Sequence, residues 1–272
     1  MLKRLTIICC SLASAATTFG HDTWLSPSIY SADAGTPITF NLTSGIEFPK
    51  LDSAIKLERV HQARWRVGSE EGELKELKPA EHALRLERSF AKGGVATLWM
   101  QLKPKDIELT DEDVEHYLQE IRAPQEVQSA WAAQKGTEKW KELYTKCAKT
   151  IVEIGRADDD RSWAQPVGLL LEFVSLSAPG ELRVGRPAKF KLLRDRKPLA
   201  RTAVALHVED DSGPRYETTD AEGVVTFLLE NAGPTMVATV DLRPPTEGKA
   251  WESAFSTITF ETKGSEQLHE TH

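Results

Sequence analysis

From residue 36 onward the chain alternates apolar with polar residues in short runs, the period-two pattern of half-buried strands. Thr36-Pro37-Ile38-Thr39-Phe40-Asn41-Leu42 does so, as do residues 55–60, 84–88 and 95–102, the last after a Gly93-Gly94 turn. Short strands with turn residues between them predict an antiparallel sandwich over 21–105. The period then changes. Thr110-Asp111-Glu112-Asp113 reads as a capping-box start, with Val114, Tyr117, Leu118 and Ile121 following at helical spacing. Pro124 opens a second predicted helix carrying Val127, Ala130 and Trp131 and closing near Gly136. Trp140, Leu143, Tyr144 and Cys147 fall at i, i+3, i+4 and i+7 and extend the helical reading. Residues 106–155 are thus expected to be a helical segment packed on the first sandwich, its aromatics facing the sheet.

Residues 156–168 read as a linker. The run Asp158-Asp159-Asp160 lacks the spaced ligands and turn glycine of a calcium loop, so a solvated loop is expected. Strand patterning returns over 169–262, through 172–174, 188–192, 204–208, 224–228, 236–240 and 255–260, with a tight turn at 219–223. A polar tail, 263–272, is expected to be disordered. The predicted fold is mainly β: two β-sandwich domains, the second Ig-like or transthyretin-like, with a short helical insertion between them.

The N-terminus sets the compartment. Lys3 and Arg4 precede an apolar run from residue 5 to 16 and small residues after it, a secretory signal over 1–20. The run falls short of the ~20 apolar residues that span a bilayer, and no later segment approaches that length. Two cut points are open, one after Ala15 or Ala16 and one after Gly20. The second is preferred because Trp24-Leu25 opens folded sequence at once, and it makes His21 the new N-terminus. Cys9 and Cys10 leave with the signal, so Cys147 remains alone and no internal disulfide forms. With 41 Asp+Glu against 34 Lys+Arg and no basic run, nucleic acid is not an expected partner. A soluble periplasmic protein follows.

Templates for catalysis are missing. There is no P-loop, G-x-G-x-x-G, G-x-S-x-G, H-E-x-x-H or C-x-x-C. A free N-terminal His21 would present its α-amine and imidazole as one chelate, a donor pair suited to nickel, cobalt or copper. Further ligands have to come from elsewhere. His61 and His82 lie in the first sandwich, and Glu47 offers a carboxylate in Gly45-Ile46-Glu47-Phe48-Pro49. His207 is the plausible donor of the second sandwich. No two histidines have the i, i+2 or i, i+4 spacing of a prebuilt local site, so only the fold can assemble one.

His21-Asp22-Thr23-Trp24-Leu25-Ser26-Pro27 after a signal, together with residues 115–120, 142–150 and 166–172, resembles a family of periplasmic proteins of unknown function. Members are described as nickel/cobalt-uptake (NikM-like) periplasmic components. Lys197-Pro198-Leu199-Ala200, residues 219–223 and Gly233 are similar to that family's second, Ig-like domain. The resemblance covers nearly the whole mature chain and implies a metal-binding role with His21 as the mature N-terminal histidine. One departure stands out: many members carry a histidine or aspartate after the glycine of the glycine–phenylalanine–proline segment, where this chain has Ile46 and then Glu47.

The leading expectation is a non-enzymatic periplasmic protein that binds nickel or cobalt for uptake or homeostasis. The expected ligands are His21, His82, His61 and Glu47, with no organic cofactor, and a membrane transporter or other envelope protein is the expected partner. The alternatives are a structural or partner-binding envelope protein without metal and, less favoured, a copper oxidase built on a histidine brace.

Overall fold

The computed structural model describes residues 21–156, 159–209, 213–246 and 250–265. The segment read as a signal, Asp158 and the tail beyond 265 lie outside them. Among the described residues no helix is long and apolar enough to cross a membrane.

One strand, Trp140–Ile154, organises the rest. It pairs in parallel with Trp251–Thr262 and antiparallel with Lys105–Leu109 and Gly94–Leu102. This corrects the helical reading of 140–155. The segment is a central strand with both faces largely buried, so its apolar residues fall on both faces, break the period-two alternation and satisfy a helical template by coincidence. Its β-branched Thr145, Thr150, Ile151 and Val152 suit the pleat instead. A smaller correction falls at 55–60. There Leu57–Arg59 forms a 3-10 turn closed by the Arg59 amide on the Lys56 carbonyl, and the strand begins at Val60.

Around this strand stands a ten-stranded sheet drawn from both halves of the chain. Its order runs from Arg215–Thr218 through Ala203–Val208, Gly233–Arg243, Trp251–Thr262, Trp140–Ile154, Gly94–Leu102 and Val60–Val67 to Glu70–Glu73. A five-stranded sheet containing Asp22–Pro27, Ile38–Gly45 and Leu84–Arg88 covers part of it, enclosing Leu25, Phe40, Leu42, Leu84, Leu98, Ala148 and Val152. A four-stranded sheet containing Leu171–Ser175, Pro187–Arg194 and Val224–Leu228 covers another part, enclosing Phe173, Phe190, Val237, Ile258 and Phe260 together with Val95 and Ile151. Successive side chains point to opposite faces, so Ile151 and Val152 serve different cores. The molecule is mainly β with two sandwich cores, as expected, but the boundary drawn at 156–168 does not separate two sheets.

The two predicted helices form. Asp111–Glu120 (α1) begins at Thr110, whose hydroxyl accepts the Asp113 amide while the Asp113 carboxylate accepts the Thr110 amide. Gln125–Gln134 (α2) follows directly after Pro124. They bury Val114, Tyr117, Val127 and Trp131 against Trp140, Leu242, Trp251 and Phe255. They therefore pack on the shared sheet, including strands of the second half, rather than on the first sandwich alone. The linker is also docked, since Trp163 is buried in the second core. The start of the predicted tail is held as well: Lys263 bridges to Arg183 and its ammonium pairs with Glu153.

Candidate functional site

The N-terminal strand Asp22–Pro27 pairs with Ile38–Gly45 along its whole length. It also lies across the C-terminal strand, where the Thr257 and Thr259 hydroxyls donate to the carbonyls of Thr23 and Leu25 at 2.7 and 2.6 Å. Trp24 packs edge-on to Phe48 and against Met236 and Ala238. Gly45, opposite Asp22, has no room for a side chain, because a Cβ would stand 2.9 Å from that of Asp52 and 3.1 Å from the Trp24 ring. These contacts place His21 and Asp22 where the first sandwich meets the second.

There Asp22 Oδ2 lies 3.7 Å from Nε2 of His207, which projects from Ala203–Val208. Both side chains are half-buried and line a cavity of about 310 Å³ shared with Glu120, Tyr216 and Ile46. The cavity wall is fastened across elements. The Tyr216 hydroxyl donates to the Glu120 carbonyl at 3.2 Å, and the Arg122 guanidinium stacks 3.6 Å over the Tyr216 ring. Burial governs the charges. It raises the Asp22 carboxyl against the pull of His207 and Lys146, and lowers the His207 imidazole against the pull of Asp22. Glu120 is raised by burial and by the nearby Asp22 charge. His21 is lowered by burial and by Lys146, whose ammonium donates to the His21 carbonyl at 2.5 Å. Asp22, Glu120 and His207 thus line one mouth with His21 beside it, and burial favours the neutral form of all four.

The predicted ligands divide. His21 stands beside Asp22, and Asp52 is near enough to act on its charge. His82 is exposed, its Nδ1 2.9 Å from the Asp52 carbonyl and its Nε2 3.5 Å from Glu81. His61 is exposed on Val60–Val67, away from this mouth and the first sandwich's core. Glu47 is exposed and paired with Lys50 at 2.5 Å, although it lines a groove that His207 also borders. The four are not drawn together. Among the described residues no three His, Cys, Asp or Glu side chains form a ready metal cluster. Asp22, Glu120, Tyr216 and Lys146 were not singled out from the sequence. A period-two reading of 140–154 would have placed Glu142, Tyr144 and Lys146 on one face, and that is the signal the helical reading hid.

The family model described as Domain of unknown function (DUF4198) matches residues 18–241. No curated protein matches the chain. Among solved structures, the D0-D1 domain of intimin is similar at 11% identity, covering 89% of this chain and 100% of its own, with a TM-score of 0.22. Three N-terminal domains of the bacteriophage RB49 highly immunogenic outer capsid protein are similar at 10% identity, covering 88% of this chain and 59% of theirs, with a TM-score of 0.20. Neither overlay is close enough to carry an argument about arrangement.

Proposed function

This chain belongs to the family Domain of unknown function (DUF4198), a name that assigns no activity, and on that premise we propose a periplasmic, non-enzymatic protein that binds a transition-metal ion, nickel or cobalt, for uptake or homeostasis. The ion would be held at the junction mouth by Asp22 and His207, with His21 swinging in as a further donor. One observation supports this above the rest: the Asp22 and His207 ligand atoms are 3.7 Å apart beside a cavity. Two atoms each ~2.0–2.2 Å from one ion at a tetrahedral angle stand about 3.4 Å apart, so a small closure suffices. A neutral imidazole is the form that ligates, and burial favours that form at both histidines. His82, His61 and Glu47 drop out of this ligand set, and Lys146, a cation beside His21, opposes binding.

The test is native mass spectrometry and calorimetric titration of the purified protein with Ni²⁺ and Co²⁺. The wild type should take up one equivalent. His207→Ala and Asp22→Asn should each weaken binding by at least the 10–100-fold that loss of even an outer-shell partner costs. His61→Ala, His82→Ala and Glu47→Gln should bind as the wild type does. Equal affinity in His207→Ala would remove the site.

A second reading, an envelope protein that binds a partner without metal, has one observation in its favour. Ile46 is 68% exposed and borders both the cavity and the adjoining groove. An exposed aliphatic side chain at a cleft rim suits a protein contact. Ile46→Lys would then abolish capture of the partner while leaving metal uptake unchanged.

A further inference from the structure

A second, smaller cavity, of about 50 Å³, is lined by Lys146 and shares only Phe255 with the first. Its walls are aromatic and aliphatic, with Tyr117, Tyr144, Phe255 and Ile107 lining it alongside Lys105, Lys146 and Glu142. The Tyr117 and Phe255 rings are nearly parallel, 14° apart with centroids at 6.4 Å, and Tyr144 stands edge-on to Phe255.

The polar groups here are unevenly satisfied. Glu142 is fully engaged: Oε1 accepts from the Tyr117 hydroxyl at 3.2 Å and from the Ser253 hydroxyl, and Oε2 accepts from the Trp140 indole at 2.9 Å. The cations are not. Lys146 spends one of its three N–H donors on the His21 carbonyl and otherwise lies 5.1 Å from the Phe255 centroid and 5.7 Å from that of Tyr144. Arg59 stands 5.5 Å over the Tyr144 ring, with Nη2 on the Lys103 carbonyl at 2.9 Å and Nη1 3.5 Å from the Tyr144 hydroxyl. Its Nε is buried and has no partner among the described residues. Lys105 is exposed at the rim. None of the three is in ion-pair contact with a carboxylate among the described residues; Asp22 and, more weakly, Glu142 attract Lys146, while Arg59 and Lys105 repel it. Three cations thus share two nearby carboxylates, Asp22 and the fully engaged Glu142, and keep donors to spare.

We propose that this slot binds a small carboxylate anion, of the size of formate or acetate, between Lys146 and Lys105 with the Tyr144 hydroxyl at its edge. Size and shape set the class. On this measure one water needs roughly 10–15 Å³, so the cavity holds about three or four waters, which admits three or four heavy atoms. The aromatic faces on either side suit a planar group better than a tetrahedral one. The lysines would supply charge-assisted hydrogen bonds, about twice as strong as neutral ones, in a site that Phe255 and Ile107 keep partly dry.

The experiment is a titration of the full-length protein with sodium acetate and, separately, sodium sulfate, at constant ionic strength with chloride as the balancing anion. Binding is read from tryptophan fluorescence, since Trp140 donates to Glu142 at the slot wall. A chelator is present throughout, so the result does not depend on whether the protein binds a metal. Saturable acetate binding is expected in the wild type, weakened about tenfold or more in Lys146→Met and several-fold in Lys105→Gln. Lys105 is exposed, so its variant keeps the test decisive if Lys146→Met fails to fold. Absence of saturation in the wild type, or unchanged affinity in Lys105→Gln and in folded Lys146→Met, would overturn the site. Sulfate binding as tightly as acetate would overturn the carboxylate class.

Discussion

Asp160 shows how much one side chain does in a segment that reads as a solvated acidic loop. Its Oδ2 accepts the amides of Val95 at 2.7 Å and Gly68 at 3.3 Å, and its Oδ1 accepts the Ser162 amide at 2.7 Å. Its carbonyl takes the Trp163 indole N–H at 2.8 Å. Gly94 makes room for it, since a Cβ there would stand 2.7 Å from Oδ2. Burial alone would raise this carboxyl, but the donors outweigh burial and hold it below its ordinary 3.8. Asp160→Ala strands at least one of these amides and should destabilise the protein by about 1–3 kcal/mol at pH 7. The sign with pH follows from the depressed carboxyl. Its contribution is complete above pH 3.8 and falls as pH drops below that through the folded-state value. Urea denaturation at pH 7 and pH 3 should show the gap between wild type and variant shrinking in acid; a constant gap would mean that the carboxylate charge is irrelevant. Residue type along the chain could not separate Asp160 from Asp159, because the difference lies in which backbone amides the fold brings to it.

The strand Trp140–Ile154 holds a buried ion pair against the second core. Lys149 on it is buried against Leu171–Ser175, its ammonium 2.5 Å from Glu172 Oε1 and 2.7 Å from the Phe173 carbonyl. The Glu172 carboxylate also accepts the Val167 and Gly168 amides at 2.6 and 2.9 Å. Removing the lysine leaves a buried carboxylate without its cation, which typically costs about 3–5 kcal/mol. The exposed Lys50–Glu47 pair is worth less than ~1 kcal/mol by comparison. Lys149→Ala should therefore lower the chemical-denaturation midpoint far more than Lys50→Ala does, and similar losses would show that water reaches the inner pair. The same strand explains what could be read in advance. Strands with one face on a core, such as Leu84–Arg88 and Val224–Leu228, alternate cleanly and were legible, as was α1 through its Thr110 cap. Trp140–Ile154 has two buried faces and a lysine in each, at 146 and 149, so neither periodicity nor polarity marked it. The site suffered with it. His21 and His207 were visible as donors, but Lys146 and Glu142 were hidden inside a segment read as helix, and Asp22 pairs with a residue 185 positions away only because the sheet is shared.

The shared sheet decides how the whole molecule should unfold. Trp140–Ile154 and Trp251–Thr262 run in parallel over nine residue pairs, so the inner edge of each half is the other half. Neither can satisfy that edge alone, and Ile151 and Val152 are buried in different cores by the same two peptide units. A chain of two independent sandwiches would melt in two steps. This one should melt in one, although its length lies where intermediates become common. Tryptophan fluorescence reports Trp24, Trp65 and Trp99 in the first half and Trp251 in the second, while far-UV circular dichroism reports both sheets, so the two signals should share a single midpoint in guanidinium. Separately expressed fragments 21–165 and 166–265 should each lack a cooperative transition and regain it on mixing. Asp22 and His207 come from opposite fragments, so any metal affinity of the junction should return with that recombination and not before. Two resolved transitions, or a first-half fragment that folds cooperatively by itself, would show that the parallel seam is a contact between finished domains rather than part of a common fold.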